Sequence, residues 1–99
     1  MTDEPKEFWL KLSKTYTTTE MEIRGIDALM ARKGALTPAQ VAFFEQRRRA
    51  LKTIQHGIVS AIATDSEDPN AVEIVEGNES LSSHPRLAFI VDRRGAPPL

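Results

Sequence analysis

The chain has 99 residues, of which 40% are hydrophobic and 27% charged, and its formal net charge is −1 at pH 7. These values indicate one small globular domain and exclude a chain too polar to bury a core. The absence of cysteine excludes disulfide and thiolate chemistry. No apolar run approaches the roughly 18 residues of a membrane span, and the acidic N-terminus lacks the pattern of a signal peptide. We therefore expect a cytoplasmic protein without membrane contact.

The segment Arg32–Val41 predicts a tight turn between two helices, because its first half has the features of a helix end and its second half those of a helix start. Gly34 suits the left-handed position just after a helix. Thr37 suits an N-cap, Pro38 the first helical position and Gln40 the third, which together form a capping box. These positions predict a helix that ends before the turn and a second helix that begins directly after it.

The two predicted helices, at about 5–33 and 38–63, have matched lengths and therefore suit an antiparallel two-helix hairpin. Helix one carries apolar residues at heptad spacing: Trp9, Leu12, Tyr16, Thr19, Ile23, Ile26 and Met30. Helix two carries two neighbouring stripes at the same spacing, the first being Val41, Phe44, Arg48, Leu51, Gln55, Ile58 and Ile62 and the second Phe43, Arg47, Ala50, Ile54, Gly57 and Ala61. Two helices cannot bury all three stripes, so we predict self-association into a bundle or cover from the C-terminal residues.

The run Thr15–Thr19 leaves two alternatives for helix one. Its β-branched residues lower helix propensity, and Thr19 with Glu22 has the spacing of a new capping box, which predicts a break near Thr17. The heptad spacing continues through the threonines, which favours one continuous helix.

The C-terminal third of the sequence predicts other structures than the two helices. Residues 64–71 predict an acidic linker, Val72–Val75 and Leu87–Val91 predict short strands, and Arg93–Leu99 predicts an extended tail. The fold class expected is therefore mainly α and coiled-coil-like, with a short C-terminal β segment. We expect residues 1–64 to form the hairpin and residues 65–99 to pack on it or on a partner.

The run Arg47-Arg48-Arg49 is the strongest charge feature of the chain. Three consecutive helical residues spread over about 200° of the circumference, so they cannot form one patch. Arg47 projects from the middle of the apolar positions, and we predict that it pairs with a carboxylate, the nearest being Asp27 and Glu20. A contact with a partner or with nucleic acid is the alternative.

The segment Ile26–Ala42 resembles the first half of a repressor-type helix-turn-helix, with a helix end, Gly34 and a Leu36-Thr37 start. This resemblance implies DNA binding. The chain departs from the pattern where a second turn should follow, because Phe43–Ile54 continues as one helix. Nucleic-acid binding through the arginine-rich second helix is therefore the alternative function.

Residues for catalysis are sparse. The two histidines, His56 and His84, lack metal-ligand spacing, and the chain has no nucleophile elbow, glycine-rich phosphate loop or HExxH motif. We therefore predict no enzymatic activity, no cofactor and no metal.

The function expected is that of a protein–protein interaction module, such as a small regulator, inhibitor, assembly factor or structural subunit. Its partner is a second copy, which would form a homodimer, or another protein. Trp9 is expected in the core near Ile58 and Ile62. The candidate partner-binding residues are charged or apolar positions that the hairpin core does not need, namely Arg47, Arg48, Arg49, Leu10, Met21 and Phe89.

Overall fold

The computed structural model describes residues 4–32 and 34–95, and this part of the chain is mainly helical, as predicted. Its five helices are α1 (Glu4–Met30), α2 (Pro38–Thr64), α3 (Pro69–Gly77), α4 (Glu79–Ser82) and α5 (Pro85–Gly95). The continuous form of the first helix is confirmed, because α1 runs through Thr17 without a break. Within these residues, we find no helix with the length and apolar character that a membrane crossing requires.

The turn between α1 and α2 has the predicted cap geometry. Gly34 has a φ of +80°, which favours glycine. The Thr37 hydroxyl accepts the Gln40 N–H at 3.2 Å, and Gln40 Oε1 accepts the Thr37 N–H at 2.9 Å. This capping box begins α2. Hydrogen bonds from Gln55 to Glu20 and from Arg48 to Asp27 show that α1 and α2 run in opposite directions.

The main core lies where α3, α4 and α5 cover one end of α1 and α2. Its buried residues are Trp9, Tyr16, Ile58, Val59, Ile62, Ala71, Ile74, Val75, Leu81 and Leu87. Trp9 is 3% exposed and lies in this core with Ile58 and Ile62, as predicted. The C-terminal residues therefore supply part of the cover that the apolar stripes require.

Two polar residues connect the C-terminal helices to α1. Asp68 caps α3 by accepting the Asn70 N–H at 2.9 Å, and its other oxygen accepts the Trp9 Nε1–H at 2.9 Å. Asn78 caps α4, and its Nδ2 group donates to Ser13 Oγ at 2.7 Å and to Thr17 Oγ1 at 2.9 Å. Each side chain thus starts a helix and positions it on α1.

The predicted strands are wrong, because Val72–Val75 lies in α3 and Leu87–Val91 lies in α5. Pro69 and Pro85 each occupy the first helical position, where proline is favoured. The β-branched residues fit a helix here because the three-to-four-residue spacing of the apolar positions puts them in the core. The predicted extended tail is also wrong as far as Gly95, and its remainder, residues 96–99, lies outside the described residues.

A second, smaller core lies near the α1–α2 turn. It consists of buried Ile23, Ile26 and Leu51 with partly buried Met30 and Phe44. All five residues belong to α1 or α2, so this end of the molecule is built from two helices alone. One side of this helix pair is the candidate site.

Candidate protein-binding groove

A groove of about 390 Å³ lies between α1 and α2 beside the smaller core. Five of its lining residues are apolar or small, namely Gly25, Ile26, Leu29, Phe43 and Phe44, and the other two are the charged Glu22 and Arg47. Phe43 is 62% exposed and Leu29 is 37% exposed, so two large apolar side chains of the groove are open to solvent. A methyl group at Gly25 would meet no other atom within 4 Å, so the groove is open above this residue.

The apolar surface continues along α2 beyond the groove. Ile54 follows Phe43 by eleven residues, which is close to three full helical turns, and it is 43% exposed. Ala50 lies between them on the same side and is also exposed. We name the exposed surface formed by Gly25, Leu29, Phe43, Arg47, Ala50 and Ile54 the open face. The second apolar stripe of α2 is thus the one that the chain leaves unburied here.

Arg47 and Glu22 form an ion pair across the groove. Arg47 Nε donates to Glu22 Oε2 at 2.6 Å, and Arg47 Nη2 donates to Oε1 at 3.2 Å. These hydrogen bonds and the charge of Arg47 lower the pKa of the Glu22 carboxyl. The same hydrogen bonds and the charge of Glu22 raise the pKa of Arg47. The predicted pairing of Arg47 with a carboxylate is confirmed, and the partner belongs to the same chain.

The predicted partners of Arg47 are wrong. Asp27 accepts a hydrogen bond from Arg48 at 2.8 Å, and Glu20 accepts one from Gln55 at 2.8 Å. Both acids lie on the side of α1 that faces away from the groove. Asp27 is five residues and Glu20 two residues from Glu22, so they lie about 140° and 160° away from it around the helix. The spacing of residues in the sequence does not determine how α1 is rotated about its axis against α2. The rotation in the structure makes Glu22 the partner of Arg47.

The ion pair predicts a difference between two arginine variants. Arg47→Ala should lower the thermal midpoint more than Arg49→Ala, because Arg49 forms no ion pair within the described residues. The folded pKa of Glu22 is lowered, so the stabilisation is present above the ordinary glutamate pKa of about 4.3 and is lost as the pH falls through the folded value. Thermal melts at pH 7 and pH 3 test this, and equal midpoints for both variants at pH 7 would contradict it.

The six predicted partner-binding residues lie on different surfaces. Only Arg47 lines the groove. Arg48 pairs with Asp27 on the other side of the helix pair. Leu10 and Met21 are 47% and 69% exposed, eleven residues apart, and therefore share a stripe of α1 outside the groove. Arg49 is exposed on α2, and Phe89 lies on α5 at the opposite end of the molecule.

Six of the seven groove residues were not predicted as partner-binding residues, and Gly25, Leu29 and Phe43 are the three of them that belong to the open face. Phe43 belongs to the second apolar stripe of α2. It could have been identified by asking which of the two α2 stripes the chain leaves uncovered. Gly25 and Leu29 are four residues apart and lie on one side of α1. Their place in the groove depends on how α1 packs against α2. The residue pattern of one helix alone does not contain this information.

A second cleft, of about 690 Å³, separates the end of α2 from α5. It is lined by Ala63, Ser66, Glu67, Pro69, Val72, Arg86, Phe89 and Ile90. Phe89 is 63% exposed there. The lining of this cleft exposes more polar surface than the lining of the groove, and Glu67 and Arg86 contribute its charged side chains.

In the described part of the chain, no group of three His, Asp or Glu side chains is placed to hold a metal ion. Comparisons with protein families, with curated proteins and with solved structures found no match. The open face and its groove are therefore the basis on which a function is proposed.

Proposed function

We propose that the protein is a non-enzymatic protein–protein interaction module that forms a homodimer through the open face. The observation that supports this most strongly is the exposure of Phe43 and Ile54 on one side of α2, next to an apolar groove. Apolar side chains grouped in this way mark interaction surfaces. A regulator, an inhibitor, an assembly factor and a structural subunit would all be built on such a dimer.

The spacing along α2 makes the open face complementary to a second copy of itself. If two α2 helices pack antiparallel, Phe43 of one copy lies opposite Ile54 of the other. The same register places the long Arg47 side chain over the small Ala50 of the second copy. Both pairs share one midpoint, between Arg48 and Arg49, so a single twofold axis generates them.

The charges of the open face also favour a second copy. Glu22 and Arg47 contribute one charge of each sign. A twofold axis near this pair brings together two acids and two bases in alternation, so the interface stays neutral. Dimer formation also buries more apolar surface around the smaller core. Two helix pairs form a four-helix bundle, whereas one helix pair alone buries little apolar surface.

Disulfide trapping tests the register, because the chain contains no cysteine of its own. We expect Phe43→Cys mixed with Ile54→Cys to give a cross-linked heterodimer on mild oxidation, since opposed residues of packed helices reach the Cα separation of about 5–6 Å that a disulfide needs. Phe89→Cys mixed with Ile54→Cys is the control, since Phe89 is equally exposed but lies on α5. Equal cross-linking in both mixtures would contradict the proposal.

Nucleic-acid binding through α2 is less well supported. Arg47 and Arg48 are both engaged with acids of α1, so two of the three consecutive arginines have neutralised charges. Phosphate contacts would give an affinity that falls steeply with salt, whereas an apolar dimer interface changes little. Measuring self-association and oligonucleotide binding over a salt series separates the two functions.

A further inference from the structure

One wall of the cleft between α2 and α5 combines an exposed aromatic ring with a positive charge. Arg86, Phe89 and Ile90 all line the cleft, and their spacing of three and four residues places them on one side of α5. Phe89 is 63% exposed, so its ring is open to solvent. This side of α5 is therefore an apolar surface with an arginine near the start of the helix.

The opposite wall comes from the end of α2 and the start of α3. Ala63 belongs to α2, Glu67 to the connection that follows it and Val72 to α3, and all three line the cleft. Val72 is 3% exposed, whereas Glu67 is an exposed residue. The cleft therefore has apolar residues at its base and charged residues at its edge, which is the arrangement of a protein–protein interface.

The two charged residues of the cleft lie on different walls and have opposite signs. Within the described residues, neither Glu67 nor Arg86 forms an ion pair. Both are exposed, so both charges are available to a binding partner. A complementary surface carries a base for Glu67 and an acid for Arg86. A purely anionic chain such as nucleic acid would be repelled by Glu67.

We propose that this cleft binds an amphipathic helix of another protein, with an acidic side chain beside Arg86 and a basic side chain beside Glu67. The apolar stripe of that helix packs on Val72, Phe89 and Ile90. A helix suits a space between helices, because its apolar residues at every third or fourth position form a ridge. A small molecule fits less well, since ligand pockets bury about 70–90% of the ligand surface and this cleft has exposed residues on both walls.

The cleft lies away from the open face. Ala63 follows Phe43 by twenty residues, which is about 30 Å along α2 and about 200° around it. Ala63 lines the cleft and Phe43 belongs to the open face, so the two surfaces lie at opposite ends and on opposite sides of α2. On the proposed homodimer, two clefts would therefore stay accessible and join two copies of the partner. Binding to the cleft itself does not require the dimer.

Three fluorescein-labelled peptides of about 15 residues, long enough to form a helix, are the probes. They share a stripe of leucine and phenylalanine at helical spacing and differ in the residues that border it. The mixed peptide has glutamate on one side and lysine on the other, the lysine peptide has lysine on both, and the glutamate peptide has glutamate on both. Fluorescence anisotropy with the full-length protein should show saturable binding, tightest for the mixed peptide by about fivefold, the upper range for one exposed ion pair.

Two charge variants decide whether Glu67 and Arg86 select the peptide. Arg86→Glu makes both walls acidic, so the lysine peptide should become the tightest. Glu67→Lys makes both walls basic, so the glutamate peptide should become the tightest. A purely structural role of these residues would not exchange the preferences. One ranking of the peptides for all three proteins, or no saturable binding to wild type, would overturn the proposal.

Two phenylalanine variants separate the cleft from the dimer interface. Phe89→Glu should weaken binding of the mixed peptide by at least about thirtyfold, the scale of an aromatic hot spot. Phe43→Glu, at an equally exposed residue of the open face, should bind the peptide as wild type does. Equal weakening in both variants would overturn the proposal, and so would a change of mass in Phe89→Glu, since the cleft would then join two copies of this chain. A wild type with the mass of one chain that binds the mixed peptide would contradict the homodimer and support the cleft.

Discussion

Replacing Trp9 by alanine is expected to lower the free energy of unfolding by about 3–5 kcal/mol, the range for large aromatic side chains removed from a core. Trp9 is 3% exposed and lies in the main core with residues from α2 to α5. The variant also removes the donor for the Asp68 carboxylate, which starts α3. Loss of this side chain therefore weakens the contact of α1 with the C-terminal helices.

Urea unfolding followed by far-UV circular dichroism measures this effect. Phe8→Ala is the matched control, because Phe8 is the neighbouring aromatic residue and is 54% exposed. Its ring contacts that of Trp9 edge-on with a centroid distance of 5.1 Å, so a smaller loss is expected there. Equal losses in the two variants would show that Trp9 is not the centre of the core.

The second large effect is expected for Leu81→Ala, at about 2–5 kcal/mol. Leu81 belongs to the short α4 yet is fully buried, in the same core as Trp9 and Ile62. A single cooperative transition at a lower urea concentration is expected, because α1 and α2 share this core with the C-terminal helices.

Leu10→Ala is the control for Leu81→Ala, since Leu10 is 47% exposed. It should change the stability by much less. A two-step transition in the Leu81 variant, with the C-terminal helices lost first, would show that residues 65–99 unfold separately from α1 and α2.

The turn between α1 and α2 could be predicted because its determinants are local. Gly34, Thr37, Pro38 and Gln40 each favour one backbone position, and all four agree. The heptad stripe of α1 was equally informative, since its buried side matches the spacing. Agreement among independent local preferences is what makes such a prediction reliable.

The C-terminal helices could not be predicted in the same way. The four residues Val72–Val75 are β-branched or charged, and so short a run suits a strand as well as a helix. The deciding information lies outside the run, in the Asp68-Pro69 and His84-Pro85 starts. Asp68 and Pro69 belong to the predicted linker, although a capping residue followed by proline also begins a helix.

The candidate site was predictable in part. The second stripe of α2 indicated an apolar surface in need of cover, and the structure leaves Phe43 and Ile54 of that stripe exposed. The choice of Glu22 over Asp27 as the partner of Arg47 depends on the rotation of α1 against α2. Rotation is set by side-chain packing across the pair, which is a tertiary property.

Light scattering after size exclusion, on wild type and two charge variants, tests the proposed dimer most directly. We expect wild type to have twice the chain mass, Phe43→Glu to have the mass of one chain, and Phe89→Glu to remain dimeric. Phe43 and Phe89 are 62% and 63% exposed. The two variants therefore add the same charge at equally exposed positions and differ only in where that charge lies on the surface. A wild type with the mass of one chain over the full concentration range, or equal masses for the two variants, would contradict a homodimer formed through the open face.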